Sequence, residues 1–166
     1  MAEQDPVAPT IAFVCTGNIC RSPLAEALAR HHARRAGLDG RVRFESFGTH
    51  DYHVGQGADP RTVATARRFG IDLSGHRARQ VDAGHCERAL LVFAMDAGHH
   101  RHLHRLAPAL GGRIEPYLPW LGLAGDDVPD PYYGDADGFV QVHRLLDEAA
   151  QRLVERLPAL LSSRDV

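Results

Sequence analysis

The feature that most constrains this chain is an apolar run that leads directly into a tight turn and then into a helix-like segment. The run is Ile11–Val14, and Cys15–Pro23 follows it with the sequence Cys-Thr-Gly-Asn-Ile-Cys-Arg-Ser-Pro. Gly17 permits unusual backbone angles in a tight arch, and Pro23 suits the first turn of a helix. The pattern predicts a buried strand, a tight loop and a helix N-terminus in immediate succession.

The segment Cys15–Pro23 has the composition of an anion-binding loop that also holds a nucleophile. Five residues separate Cys15 from Arg21, so the loop can arch with its backbone N–H groups pointing at one spot near the positive end of the helix dipole. The same field favours the thiolate form of Cys15, which is the nucleophilic form. Arg21 can fork onto two phosphoryl oxygens, and the Ser22 hydroxyl could reach the sulfur. A phosphate dianion is the predicted ligand.

This stretch resembles the signature of the low-molecular-weight protein tyrosine phosphatases, a Cys-x5-Arg-Ser loop close to the N-terminus. A second mark of that family, Asp130-Pro131-Tyr132-Tyr133-Gly134-Asp135, lies far downstream. The resemblance spans nearly the whole chain. It implies hydrolysis of phosphotyrosine through a phosphocysteine intermediate, with Cys15 as nucleophile, Arg21 as phosphate ligand and Asp130 as proton donor. A buried cysteine and a turn-capping arginine would explain either residue alone, but not the set.

The resemblance also assigns residues to the loop and its support. The expected phosphate-binding residues are Thr16, Gly17, Asn18, Ile19, Cys20 and Ser22. In the family, a serine of the second strand and a histidine hold the loop asparagine in a strained conformation. The matching residues here are Ser46 and His76, with Ser22 as a third support for Asn18.

Aromatic residues are expected to set the substrate preference. The resemblance places Tyr52 beside the site, where Tyr52, Tyr132 and Tyr133 would wall a deep cleft that a flat aryl phosphate can enter. Phosphoarginine-directed members of the family carry threonine where this loop has Ile19, and they lack the paired tyrosines. Phosphotyrosine is therefore the favoured substrate, and a phosphotyrosine-containing protein, such as a tyrosine kinase, is the expected partner.

Two further functions are considered for a chain with this loop. Thiol-dependent arsenate reductases share this loop and fold, but they pass oxidising equivalents to two further cysteines, and here only Cys86 lies in the right region. External thiols could substitute for the missing cysteine. A non-catalytic phosphate-binding module has no supporting feature, because Cys15, Arg21 and Asp130 are all present.

Strand and helix patterns alternate along the chain and predict a single α/β domain with a mostly parallel sheet. The resemblance adds a four-stranded, flavodoxin-like sheet of order 2-1-3-4, flanked by helices. The predicted elements are a strand at 11–14, a helix over Ser22–Ala36, a strand at 42–47, a helix from Asp59 to Gly70, a buried strand over Arg88–Met95, a helix after Asp96, a strand over Arg113–Tyr117 and a C-terminal helix ended by Pro158.

Length and composition agree with one domain. A chain of 166 residues that is 44% apolar can build a full hydrophobic core. We predict a flexible N-terminal segment at 1–9, the phosphatase domain at 10–161 and a C-terminal tail at 162–166.

Charge and cysteine usage limit the partners and the compartment. The formal net charge of −2 gives no long-range attraction to nucleic acid or to an anionic membrane. The longest apolar run, Ala89–Met95, is too short to span a bilayer, and residues 1–10 lack the apolar core of a secretory signal. Three cysteines, an odd number, suit a reducing compartment. We expect a cytoplasmic protein.

The helix after Asp96 is rich in histidine. His100 and His104 stand four residues apart, a spacing that could hold zinc or nickel, but no cysteine or carboxylate lies at a matching spacing. We therefore expect this helix, with His99 and His102, to present a solvated polar face. We predict no metal and no cofactor.

Cys20 suggests a redox role that rests on loop geometry. Cys15 and Cys20 must curl around one small anion, so their Cα atoms could come within the roughly 4.4–6.8 Å that a disulfide requires. Cys20 would then capture a sulfenic acid formed on Cys15 before further oxidation. The simpler alternative is a small residue packed beneath the loop.

Overall fold

Strand β1 (Thr10–Cys15) is the centre of the molecule, because it pairs on both edges and is almost fully buried. The computed structural model describes residues 7–162. β1 pairs in parallel with β2 (Arg43–Gly48) and with β3 (Ala89–Ala94), and β3 pairs in parallel with β4 (Ile114–Pro116). The predicted four-stranded parallel sheet of order β2-β1-β3-β4 is confirmed.

Six helices flank this sheet in the described part of the chain. They are α1 (Arg21–Arg35), α2 (Pro60–Arg68), α3 (Ala83–Arg88), α4 (Ala97–Leu106), α5 (Tyr117–Trp120) and α6 (Ala136–Ser162). None of the helices within residues 7–162 combines the length and hydrophobicity needed to cross a bilayer.

The two faces of the sheet bury alternate residues of β1, as the period of two in a strand requires. Ile11 and Phe13 pack in the core that includes α1 and α6, whereas Ala12 and Val14 pack in the core that includes α3 and α4. The ring of Phe13 lies 5.2 Å, centroid to centroid, from that of Tyr117 at the start of α5. A strand buried on both faces holds the loop that follows it on a rigid support.

The ends of two helices follow the capping signals of the sequence. The Asp59 carboxylate accepts a hydrogen bond from the backbone N–H of Arg61 at 2.8 Å, and Pro60 begins α2. The Asp96 carboxylate caps α4 by accepting from the backbone N–H of His99 at 2.9 Å. α3 also has a cap, in which Asp82 and His85 satisfy each other's backbone N–H groups, but it is only one and a half turns long and was not predicted.

The prediction that Pro158 ends the last helix is wrong. α6 continues through Pro158 to Ser162, because the apolar stripe that packs on the core extends beyond the proline. Leu157 is fully buried and Leu161 is 5% exposed, so continuing the helix buries side chains that compensate for the lost backbone hydrogen bond.

Two short elements were also missed. The segment Pro108–Arg113 forms a 3-10 helix, and α5 is a single turn that contains Pro119, in a region predicted to be irregular.

Of the predicted terminal segments at 1–9 and 162–166, residues 1–6 and 163–166 lie outside the described residues. Pro9 accepts a hydrogen bond from the Arg43 N–H at 2.8 Å.

Replacing Pro158 by alanine is expected to stabilise the protein by about 1–3 kcal/mol, because alanine restores a helical N–H and removes the ring from the turn below. Urea unfolding followed by circular dichroism measures the change. Pro9→Ala, at a proline outside any helix, is the matched control and should give no comparable gain. An unchanged free energy of unfolding in Pro158→Ala would contradict a helix that runs through this position.

Candidate active site

The loop from Cys15 to Arg21 lies at the carboxyl end of β1, between the C-terminal ends of β2 and β3. Cys15 is the last residue of β1 and Arg21 is the first residue of α1. The segment after β2 ties the start of the loop in place, since the Thr49 N–H donates to the Cys15 carbonyl at 2.8 Å and the His50 N–H donates to the Thr16 carbonyl at 3.1 Å. This edge is where open α/β sheets bind their ligands.

Asn18 is the only non-glycine residue with positive φ among those described, with φ 58°. Its side chain is fully buried, and the amide Nδ2 donates to Ser22 Oγ at 2.9 Å and to Ser46 Oγ at 3.0 Å. His76 Nε2 donates to the Asn18 carbonyl at 2.7 Å. Burial lowers the pKa of His76, which favours the neutral ring. The structure thus brings all the predicted supports of Asn18 together.

Two further supports were missed by the sequence reasoning. The backbone N–H of Arg79 donates to Asn18 Oδ1 at 2.9 Å, and Ser46 Oγ donates to Glu26 Oε1 at 2.8 Å. A backbone donor has no sequence signal of its own. Glu26 lies one turn into α1 and also binds Arg30, a contact that its spacing of four residues predicts.

Gly17 has a different role from the one expected. The left-handed residue of the loop is Asn18, and Gly17 is not among the described residues with positive φ. A Cβ on Gly17 would lie 2.8 Å from Cδ2 of His53, so a larger residue here would require the imidazole to shift. His53 also lines the cleft and was not predicted as a site residue.

Cys15 and Ser22 are in hydrogen-bond contact, with Sγ and Oγ 2.9 Å apart. The Ser22 oxygen already accepts from Asn18, so its single proton is free to point at the sulfur or, at 3.4 Å, at the Phe47 carbonyl. Either atom can donate while Cys15 is a thiol, and once the sulfur is a thiolate only the Ser22 hydroxyl can donate. Donation to sulfur stabilises the thiolate.

Arg21 is 4% exposed and is held by groups from two other segments. Nη1 donates to Asp96 Oδ2 at 3.0 Å and to the Val128 carbonyl at 3.1 Å, while Nη2 lies 3.5 Å from Asp130 Oδ2. Burial alone would raise the pKa of Asp96, but the hydrogen bond from the His99 backbone and the Arg21 guanidinium lower it. Asp96 is therefore an ionised partner for Arg21.

Asp130 lies at the mouth of the site in the loop that precedes α6. The Tyr132 N–H donates to Asp130 Oδ1 at 3.0 Å, which leaves Oδ2 facing Arg21. The nearby acids have other partners: Asp127 accepts from the Ala97 N–H at 2.9 Å, and Asp135 accepts from the Gly138 N–H at 3.2 Å. Of these three carboxylates, Asp130 is the one in contact with Arg21.

Three tyrosines and a histidine contribute to the walls of the cleft. The lining residues are Cys15, Thr16, Gly17, Ile19, Cys20, Arg21, Tyr52, His53, Asp130, Tyr132 and Tyr133. The predicted tyrosines therefore converge on one cleft, with rings of Tyr132 and Tyr133 5.0 Å apart in an edge-to-face arrangement. The guanidinium of Arg61 lies 5.2 Å from the ring centroid of Tyr132 and 4.7 Å from that of Phe139.

Cys20 lines the cleft but its side chain is largely buried. The side chain is 6% exposed and packs with Ile19, Ala78 and Phe139. Burial raises the pKa of Cys20 to about 12, which keeps this thiol protonated. All three cysteines are free thiols.

The prediction of a solvated histidine face on α4 is wrong for His99. This side chain is 4% exposed, and its Nε2 lies 2.8 Å from Thr16 Oγ1 in the loop from Cys15 to Arg21, the expected phosphate loop. His100 and His104 are half-buried and hydrogen-bonded to each other through Nε2 atoms 3.1 Å apart. Within residues 7–162, no cluster of three or more metal-ligating side chains occurs.

A thiol beside a buried arginine, in a loop that ends at a helix N-terminus with a carboxylic acid at its mouth, defines a site for covalent catalysis on a small oxyanion. The sequence profile of the family described as low molecular weight phosphotyrosine protein phosphatase matches residues 10–162. The chain belongs to this family, and it is a hydrolase of the phosphoric monoester class.

Individual relatives cover most of the chain. A low molecular weight protein-tyrosine-phosphatase of Streptomyces coelicolor is 45% identical over 149 residues, which cover 87% of this chain and 90% of the relative. The crystal structure of a protein tyrosine phosphatase from Entamoeba histolytica aligns with a TM-score of 0.87 and 31% identity, covering 92% of this chain and 98% of that chain. A mutant structure of the arginine phosphatase YwlE aligns with a TM-score of 0.82 and 32% identity, covering 90% and 95%.

The Asn18→Ala variant is expected to lose about 2–4 kcal/mol of unfolding free energy, because its side-chain hydrogen bonds disappear and alanine disfavours positive φ. Asn18→Gly removes the same hydrogen bonds but adopts the backbone without strain, so it should recover about 1 kcal/mol of that loss. Urea unfolding of both variants measures the difference. Equal stabilities would show that the left-handed conformation is not an energetic constraint.

The hypothesis that Cys20 captures oxidised Cys15 predicts a difference in recovery after a peroxide pulse followed by dithiothreitol. Wild-type protein should then recover more activity than Cys20→Ser. The protonated state of Cys20 makes this capture slow, because the thiolate is the attacking form. Cys86→Ser is the matched control and should recover like wild type. Equal recovery in Cys20→Ser, with no Cys15–Cys20 bond found by mass spectrometry, would reject the redox role.

Proposed function

We propose that this enzyme hydrolyses phosphotyrosine in proteins through a phosphocysteine intermediate on Cys15. The observation that carries the proposal is the convergence of Cys15, Arg21 and Asp130 from three separate segments on one aromatic-walled cleft. Each group has the chemistry for one step of the reaction.

The phosphate loop binds the dianion through backbone N–H groups of residues 16–22 and through Arg21. Asp96 and Val128 occupy both N–H groups of Nη1, so the Nε and Nη2 edge of the guanidinium is left for the phosphoryl oxygens. These donors also take up charge that develops on the equatorial oxygens in the transition state.

In the first step, the Cys15 thiolate attacks phosphorus in line with the departing aryl oxygen. The S–P bond forms as the P–O bond to the ring breaks, and the proton of Asp130 moves to the phenolate. Asp130 Oδ2 lies 3.5 Å from Arg21 Nη2 in this structure. A bound phosphate would replace the Asp130 carboxylate as the partner of Nη2. The negative charge of the phosphate then favours the protonated acid.

In the second step, water attacks the phosphocysteine and the Asp130 carboxylate accepts its proton. The O–P bond forms, the S–P bond breaks, and the electron pair returns to Cys15. Ser22, 2.9 Å from Sγ, donates a hydrogen bond to the leaving thiolate. Inorganic phosphate is released.

Selectivity for phosphotyrosine follows from the cleft walls. Tyr52 and Tyr133 are 65% and 89% exposed, so their rings form the rim, while the nucleophile at the floor is 3% exposed. A phosphoserine side chain would have to bring its backbone down between these rings, whereas a phenyl phosphate reaches the floor and stacks on them. A protein with exposed phosphotyrosine, such as a tyrosine kinase, is the proposed partner.

A phosphoarginine substrate is the second candidate, because an arginine phosphatase is among the structural relatives. Ile19 and the paired tyrosines favour the aryl substrate. An arsenate reductase cycle through Cys86 is disfavoured, since that thiol is 1% exposed in α3 and packs against the face of the sheet that carries α4.

We take residues 10–161 as the catalytic domain, because β1 begins at Thr10 and the buried stripe of α6 extends to Leu161.

We place the enzyme in the cytoplasm. A thiolate nucleophile must stay reduced, and reducing compartments preserve free thiols.

The substrate class is tested with matched phosphotyrosine, phosphoserine and phosphoarginine peptides, and with arsenate plus thiols in a separate assay. Phosphotyrosine is expected to give the highest kcat/KM, and Cys15→Ser to bind the peptide without turnover. A preference for phosphoarginine, or reduction of arsenate at a comparable rate, would overturn the assignment.

Asp130→Ala is expected to lower kcat/KM, which reports formation of the phosphocysteine, by about 10²–10⁴ for substrates with poor leaving groups, and much less for activated aryl phosphates that need no protonation. Rates on a phenyl and a p-nitrophenyl phosphate measure the contrast. Asp126→Ala, in the same loop, is the matched control and should behave like wild type. An equal loss on both substrates would mean that Asp130 acts only in structure.

A further inference from the structure

His99 differs from the other histidines of α4, because it is the one buried against the phosphate loop. Its ring joins two groups that the proposed mechanism uses. Nε2 lies 2.8 Å from Thr16 Oγ1, and Nδ1 lies 3.1 Å from Asp96 Oδ1 without a regular hydrogen bond. Asp96 in turn binds Arg21 through Oδ2 at 3.0 Å.

These contacts form a continuous path that starts and ends in the phosphate loop. Thr16 is the residue after the nucleophile, and Arg21 is the phosphate ligand at the other end of the loop. The path between them runs through the first turn of α4, whose N-terminus is fixed by Asp96. α4 follows β3, so the contacts are anchored to the sheet rather than to the loop.

We propose that His99 is a positioning residue that holds both ends of the phosphate loop, at one end through Thr16 and at the other through Asp96 and Arg21. This inference rests on the proposed function, because it concerns the geometry in which the loop receives phosphate.

The charges around the ring determine which nitrogen carries the proton. The Asp96 carboxylate faces Nδ1 and favours a proton there, so Nε2 is an acceptor for the Thr16 hydroxyl. Burial and the nearby Arg21 lower the pKa of His99 to about 4, so the ring is neutral at pH 7. The Thr16 hydroxyl then has one defined orientation.

Loss of the ring would release both contacts. Asp96 would keep its bond to Arg21 but lose the neighbour on its other side, and the Thr16 side chain would lose its partner. A displacement of about 1 Å in a group that binds the reacting phosphate can lower the rate about 100-fold. We expect kcat/KM to fall by about 10- to 100-fold in His99→Leu, with weaker inhibition by inorganic phosphate.

The experiment compares His99→Leu, which fills the space, with His99→Gln, whose amide can reach the Thr16 hydroxyl. Thr16→Val removes the hydroxyl from the other side, alone and combined with His99→Leu. His104→Leu, on the same helix, is the matched control. Each variant is assayed for kcat, KM, competitive inhibition by inorganic phosphate, and thermal unfolding.

The proposal predicts that His99→Gln recovers most of the phosphate affinity lost in His99→Leu. It also predicts that Thr16→Val adds little in the His99→Leu background, because the two side chains act as one unit. A folded His99→Leu variant within twofold of wild type in both kcat/KM and phosphate inhibition would overturn it. Equal losses in His99→Gln and His99→Leu, with Thr16→Val at wild-type level, would also overturn it.

Two measurements keep the test independent of folding and of the chemical step. If His99→Leu does not fold, the test uses Thr16→Val and His99→Gln instead. Loss of phosphate affinity in Thr16→Val together with retained affinity in His99→Gln would support the path from Thr16 through His99 to Asp96. Calorimetric titration of inorganic phosphate into Cys15→Ser, with and without His99→Leu, measures loop geometry without turnover. Unchanged affinity there would reject the role of His99, whatever the substrate of the enzyme is.

Discussion

The left-handed backbone of Asn18 is the constraint on which the rest of the site depends. A non-glycine residue in this region costs about 1–3 kcal/mol and persists only where its surroundings fix it. Here the fixing groups come from separate elements: Ser22 from α1, Ser46 from β2, and His76 with the Arg79 backbone from the segment before α3. The loop is therefore shaped by the scaffold before any phosphate arrives, which lowers the cost of organising its N–H donors.

The sheet order explains why these groups meet. β1 lies between β2 and β3, so the segments that leave the carboxyl ends of all three strands border the same space. The acid loop joins them through Val128, whose N–H donates to the Met95 carbonyl at 2.7 Å just after β3 and whose carbonyl accepts from Arg21. Asp130 follows two residues later. One arginine thus links the phosphate loop to the residue proposed as the acid.

Sequence patterns predicted the strands and the long helices because their signals are local, whereas the order of the strands in the sheet came from the family resemblance. The run Ala89–Met95 and the caps Asp59 and Asp96 are each decided within a few residues. Pro158 and His99 were misjudged because their outcomes depend on tertiary contacts. Core packing of α6 outweighs the proline, and a histidine on a polar helix has no sequence signal that tells burial against Thr16 from exposure.

The proposed mechanism requires that phosphate pass through a covalent bond to Cys15. It is tested most directly by rapidly denaturing Asp130→Ala during turnover of p-nitrophenyl phosphate, and then locating protein-bound phosphate by mass spectrometry and ³¹P NMR. Loss of the base slows hydrolysis of the intermediate. The prediction is a burst of p-nitrophenol equal to the enzyme concentration, with phosphate on Cys15. Turnover that continues in Cys15→Ser, or phosphate found on another residue, would contradict it.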